Sequence, residues 1–212
     1  MEHKPIDINQ RIPLATLAVG LSSFLDDSYS EDYILEQLRL EFKGENRLRK
    51  SVRIVSKTIL RNPLTDFVVA HKEEIRQAIK KKHDRNVILI ALLNSSFTFS
   101  FDALQFLGKF LSVQELVNRQ ALKTALARIY GGNRATDNAI DSVIPMFIEA
   151  GLITRPGLAV YELNKELQIT SPVTEKVFIE SYKANSGLDG LQDYQLRDPY
   201  FVFANGLSNL SG

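Results

Sequence analysis

The stretch from Gln120 to Leu163, QALKTALARIYGGNRATDNAIDSVIPMFIEAGLITRPGLAVYEL, constrains the fold of this chain more than any other. It reads as helix, glycine turn, second helix and short hairpin. In the first helix Leu122, Leu126 and Ile129 recur at helical spacing, with Ala125 on the same side. Gly131-Gly132-Asn133 breaks it, because glycine and asparagine tolerate the left-handed backbone that closes a helix. Thr136 is the expected cap of the second helix, and Ile140, Val143, Ile144, Phe147 and Ile148 its buried stripe. Gly151 stops it. Leu152 to Arg155 and Ala159 to Leu163 then read as two strands around a Pro156-Gly157 turn.

That order of elements is the order of a winged helix. The chain as a whole is expected to be mainly α, an N-terminal helical bundle followed by a winged-helix domain (helix-turn-helix plus short β-hairpin). The bundle takes residues 1–111, the winged helix 112–170, and a C-terminal helix with an aromatic tail 171–212.

With 26 Lys and Arg against 25 Asp and Glu, the net charge is +1, so the chain as a whole is not an electrostatic glue for nucleic acid. Any such role rests on how the charge is distributed. There is no Cys, which removes disulfides and thiolate metal sites and fits a reducing, cytoplasmic setting. The apolar run from Ile12 to Leu21 falls short of the roughly 20 residues a membrane helix needs, and no cleavage site follows it.

Residues 1–10 are polar and expected to be loosely held. A helix from Pro13 to about Leu25 buries Leu14, Leu17, Ala18 and Leu21. A second follows a Ser28 or Ser30 cap and buries Ile34, Leu35, Leu38 and Phe42. The third, from about Glu45 to Asn62, carries an apolar stripe of Leu48, Val52, Val55 and Ile59. Arg49, Arg53 and Lys57 recur every fourth residue on another face, flanked by Arg47, Lys50 and Arg61, with Glu45 the only acid. Cations spaced along one helix face can meet successive phosphates. A solvated face, or a surface for an acidic partner helix, is the structural alternative.

Thr65 is the expected cap of one helix from Asp66 to about His83, burying Phe67, Val68, Ile75 and Ile79. The cations Lys80, Lys81, Lys82 and His83 would then complement its C-terminal dipole. Val87 to Leu93, VILIALL, is expected as the central helix of the bundle, interrupted at Asn94-Ser95-Ser96. Phe97, Phe99, Phe101, Phe106 and Phe110 sit among leucines with almost no cations and read as core or a domain seam rather than as platforms for stacked bases. Ser112 is expected to cap a helix starting at Val113. The tail carries Tyr194, Tyr200, Phe201, Val202 and Phe203, and it either packs back on the body or docks on a partner.

Motifs for chemistry are missing. There is no phosphate loop, dinucleotide fingerprint or nucleophile elbow, and His3, His71 and His83 lack metal-ligand spacing. No catalytic residue, metal or cofactor is expected. In a winged helix the second helix enters the major groove. Arg134 and Asn138 carry base-reading chemistry there, and Arg155 is the cation of the hairpin. Asp137 and Asp141 oppose this, since two carboxylates on one face repel phosphate unless they accept from cytosine amines. The nucleic-acid-binding set is therefore Arg47, Arg49, Lys50, Arg53, Lys57, Arg61, Arg134, Asn138 and Arg155.

Three segments, YSEDYILEQLRLEF, ENRLRKSVRIVSKTIL and VILIALL, precede a helix–turn–helix that closes on MFIEAGLI. In this order, over most of Ile12 to Leu163, the chain resembles the small helical BrxA-type proteins of BREX bacteriophage-exclusion systems. The resemblance implies an all-α, DNA-binding accessory protein of phage defence, working beside methyltransferase and ATPase components and not itself an enzyme. The expected partner is double-stranded DNA, with no membrane and no small-molecule substrate. The alternative is a scaffold whose winged helix and tail dock on partner proteins without nucleic acid.

Overall fold

The computed structural model describes residues 3–204. Its N-terminal arm is pinned down, contrary to expectation. Ile8 and Ile12 are buried, Lys4 N–H donates to the Ile129 carbonyl at 2.9 Å, and the Lys4 ammonium sits 2.9 Å from Asp102. The Asp7 carboxylate accepts from the backbone N–H groups of Thr98 (2.7 Å) and Phe99 (3.2 Å), orphan donors at the start of a helix. Alternation of Ile6 and Ile8 with polar neighbours was the available signal.

Helix α1 spans Leu14–Leu25 and buries Leu14, Leu17 and Leu21. Helix α2, Glu31–Glu41, is capped by Ser30, whose hydroxyl accepts from Tyr33 N–H, and it buries Ile34 and Leu38. Helix α3, Glu45–Ile59, buries Leu48, Ile54, Val55 and Ile59 against α1 and α2, while Val52 is half-buried.

The single helix expected from Asp66 to His83 is three pieces: α4 (Thr65–Ala70), α5 (Lys72–Ala78) and the start of α6 (Lys82–Ser96). Thr65 is not the cap; its hydroxyl donates backward to the Asn62 carbonyl at 2.7 Å. His71 ends α4. Its ring stacks on Phe67 at 4.1 Å, and its Nδ1 lies 3.0 Å from the Phe67 carbonyl oxygen. The consequence is electrostatic. Lys82 and His83 open α6 rather than close a helix, at the dipole end that disfavours cations.

Every residue from Val87 to Leu93 is buried, and α6 packs against α1, α3, α7 (Thr98–Leu111), α9 (Arg134–Ala150) and α10 (Pro172–Ser186). It does not break at Asn94-Ser95-Ser96. Their polar groups are satisfied in place: Asn94 Nδ2 donates to the Tyr200 hydroxyl, Ser95 to Leu92 and Ser96 to Lys57 carbonyls. The break falls at Phe97 instead. Among the described residues no single helix is long and apolar enough to cross a membrane. α6 and α7 reach that hydropathy only together, and a 120° bend parts them.

Ser112 closes α7, with its hydroxyl on the Gly108 carbonyl, and does not start a helix. Leu116–Asn118 is instead strand β1, with only Val117 buried. Helices α8 (Arg119–Tyr130) and α9 (Arg134–Ala150) and strands β2 (Ile153–Gly157) and β3 (Val160–Leu163) follow. The antiparallel sheet runs β1-β3-β2, pairing Val117 with Tyr161 and Ile153 with Leu163.

The cap of α9 is Asn133, which accepts from Ala135 and Thr136 N–H; Thr136 lies inside the first turn and donates to the Gly131 carbonyl. Pro156-Gly157 is not the hairpin turn. Gly157 pairs with Val160, so Leu158-Ala159 makes the loop, and a bulge after Thr154 absorbs Pro156, which has no N–H to offer the ladder. Gly151 closes α9 at φ 80°, where a β-carbon would be strained.

Helix α10 (Pro172–Ser186) lies along α6. Asp84, buried at the start of α6, fixes it there by accepting from Ser171 N–H (3.0 Å) and from the hydroxyls of Thr170 (2.8 Å) and Thr174 (2.7 Å). Two 3₁₀ turns, Asp193–Arg197 and Pro199–Phe203, bring the tail back onto α7. Of the two roles open to the tail, residues 199–204 take the packed one, Tyr194 is exposed, and residues 205–212 lie outside the described residues. Tyr200, Phe201 and Phe203 are buried, and a β-carbon at Gly108 would overlap the Pro199 carbonyl oxygen.

Candidate nucleic-acid interface

Helix α3 carries five of the candidate cations, Arg61 follows just beyond its end, and the fold sorts the six. Arg49, Lys50 and Arg53 are exposed. Arg47 is exposed too, with its guanidinium 4.2 Å over the Phe42 ring. Lys57 is half-buried, its ammonium 4.3 Å over Phe97. Arg61 donates to the Ser56 hydroxyl, which in turn donates to Glu31. Glu45 turns away to Arg39, at 3.3 Å. Among the described residues none of the six lies within 4.0 Å of a carboxylate oxygen. The outward strip is thus Arg49, Lys50 and Arg53, with Arg47 at its edge.

The second cluster lies on α8 and α9. Arg134 and Asn138 are exposed in the first turns of α9, and Arg155 is exposed on β2. Asp137 and Asp141, read from sequence as repelling phosphate, are both engaged from the preceding helix. Arg119 Nη2 lies 2.7 Å from Asp141 and 3.6 Å from Asp137, and Lys123 Nζ lies 2.8 Å from Asp137. The Lys123 hydrogen bond holds the Asp137 carboxyl below the usual carboxylate range. Burial works against the Arg119 cation. The hydrogen bond to Asp141, with the charges of Asp141 and Asp137, outweighs it and raises the guanidinium above its ordinary value.

Arg119 and Lys123 were missing from the sequence-based set. The signal was there: a four-residue spacing of cations on one helix facing the same spacing of acids, Asp137 and Asp141, on the next. The charge of the α9 face is therefore set by the pair of helices. Because the folded pKa of Asp137 is depressed, its contribution to stability is present above the ordinary value of 3.8 and is lost as pH falls through the lower folded value.

For a chain that binds duplex DNA through this face, Arg119→Ala is expected to weaken binding several-fold by freeing the Asp141 carboxylate while Lys123 keeps Asp137, an effect on the order of one phosphate contact. Adding Asp141→Asn should restore most of it, measured as a double-mutant cycle by fluorescence anisotropy. Failure of the second change to restore affinity would mean that Arg119 meets DNA itself.

Among the described residues no group of three or more His, Asp or Glu side chains is placed to hold a metal ion. No protein-family model, curated protein or solved structure matches the chain.

Proposed function

We propose that this is a non-catalytic, cytoplasmic DNA-binding accessory protein of a bacterial phage-defence system of the BREX type. It grips the duplex backbone through a basic helix and a winged helix, and acts beside methyltransferase and ATPase subunits. The observation that carries the DNA-binding part is the exposed strip of Arg49, Lys50 and Arg53, which meets no carboxylate among the described residues. Such a strip offers charge to successive phosphates and carries no sequence information of its own. The defence setting rests on the resemblance of the chain's helical order to BrxA-type proteins.

The winged helix in this reading is the run β1–α8–α9–β2–β3 within residues 112–170, with α7 of the bundle packed against it. α9 is the recognition helix, with Arg134 and Asn138 toward base edges and Arg155 on the wing. Pairing of Asp137 and Asp141 with Arg119 and Lys123 supports this, because it lifts the main electrostatic objection to α9 approaching DNA.

A protein-docking scaffold is the second reading, favoured by Leu158 at the hairpin tip and Val113 before β1, which are 87% and 82% exposed. Tyr200, Phe201 and Phe203 are buried, which leaves Tyr194 as the exposed aromatic of the described tail. A gel-shift titration of the whole chain against two duplexes of unrelated sequence, at rising salt, separates the readings. DNA binding predicts comparable, salt-sensitive retention of both duplexes; the scaffold predicts none at moderate salt.

A further inference from the structure

The helix that the cations around the α5–α6 turn were expected to close is broken, so the dipole of a helix C-terminus does not account for Lys82. Lys81 donates to the Thr170 hydroxyl at 2.9 Å. Lys80 meets only the neutral Gln77 side-chain carbonyl, and Lys82 and Arg85 have no side-chain hydrogen-bond partner among the described residues. None of Lys80, Lys82 and Arg85 forms an ion pair there. Like charges on the consecutive residues Lys80, Lys81 and Lys82 repel, and Lys82 also stands at the unfavourable end of the α6 dipole. An anion would relieve both.

These side chains do not simply point into open solvent. Two cavities, of about 520 and 350 Å³, run between α1 and the α5–α6 segment, and both are lined by Ala18 and by the half-buried Arg85. Lys80 lines the larger and Lys82 the smaller. The acids that border them are already taken. Asp26 is held by Arg76 at 3.2 Å, and Glu149 by Arg11 at 2.8 Å while it also accepts from Leu14 N–H. The net charge facing the groove is therefore positive. The opposite wall is mixed, with apolar Ala18 and Val19, the Ser22 side chain and the half-exposed ring of Tyr33. The volume falls in the range of about 300–1,000 Å³ that suits a small organic ligand.

We propose that this groove binds a small phosphorylated ligand of mononucleotide size. Lys80, Lys82 and Arg85 hold the phosphate, and the organic part lies against Ala18, Val19 and Tyr33. Arg85 is central because its guanidinium serves both cavities and offers several donors to phosphate oxygens. The site is independent of the α3 strip and the α9 face, and it adds a ligand class where the sequence suggested no small molecule at all.

The test is isothermal titration calorimetry on the full chain with adenosine monophosphate, adenosine and inorganic phosphate as separate titrants. Adenosine monophosphate is expected to bind more tightly than inorganic phosphate, and adenosine not at all. Lys82→Glu with Arg85→Glu should weaken it at least tenfold, and Arg49→Glu with Arg53→Glu should leave it unchanged. Should the first pair fail to fold, Lys80→Gln with Lys82→Gln, at exposed positions, is expected to weaken it several-fold. No heat with either phosphate-bearing titrant would overturn the proposal. So would binding that ignores the groove variants, or groove variants that lower only duplex DNA affinity, which would make the groove a further contact for the DNA backbone.

Discussion

Tyr200→Ala should destabilise the fold by about 3–5 kcal/mol, the cost of emptying a large aromatic site in a packed core. Tyr200 is fully buried although it lies near the end of the described chain. Its ring stacks on Phe178 with centroids 4.5 Å apart and tilts against Phe101 at 4.8 Å, so it bridges α10 and α7. Its hydroxyl accepts from Asn94 Nδ2 at 3.0 Å and lies 2.7 Å from the Ser181 hydroxyl. Tyr200→Phe keeps the ring and orphans the Asn94 donor, so a smaller loss of about 1–3 kcal/mol is expected. Urea unfolding midpoints at constant m-value check both. A loss below about 1 kcal/mol for the alanine variant would mean that the tail is not part of the core.

Arg49→Glu with Arg53→Glu is expected to have the largest effect on DNA. Two phosphate contacts are lost and two repulsions are added, so affinity at moderate salt should fall at least tenfold, about 1.4 kcal/mol. Both side chains are exposed, so stability should move by no more than about 0.5 kcal/mol. That separation makes the variant informative: lost affinity with an unchanged unfolding midpoint assigns the effect to the surface. Unchanged affinity would remove α3 from the interface. Lys57→Gln, by contrast, should weaken DNA binding less, because its ammonium is drawn over Phe97.

The sequence carried the helical order well, because amphipathic periodicity survives in each strongly patterned segment. The stripe of Ile140, Val143, Ile144 and Phe147 lies where periodicity placed it, with Ile148 only half-buried, and the continuous apolar run from Val87 to Leu93 is buried throughout. What it could not carry were features decided by partners distant along the chain. Strand β1 exists because Val117 can pair with Tyr161, more than forty residues on, and nothing near Leu116 announces it. Asn94 and Ser96 look like helix breakers until Tyr200 and Lys57 supply their partners. His71 splits a helix through its own ring and the Phe67 carbonyl, a side-chain event that periodicity does not register.

The candidate site followed the same pattern. The cations of α3 were visible as a row, but which of them face outward depended on Phe42, Phe97 and Ser56. The acids of α9 were visible as an obstacle. Their pairing with Arg119 and Lys123 became visible only when α8 and α9 were set side by side.

The most direct measurement is the slope of log binding constant against log salt concentration for the whole chain on a duplex of arbitrary sequence. Five outward cations, Arg49, Lys50, Arg53, Arg134 and Arg155, predict a slope of about −4 to −5. Arg49→Glu with Arg53→Glu should make it shallower by about 2. A slope near zero, or no retention of DNA at about 100 mM salt, would contradict DNA-backbone binding and leave the protein-docking reading in its place.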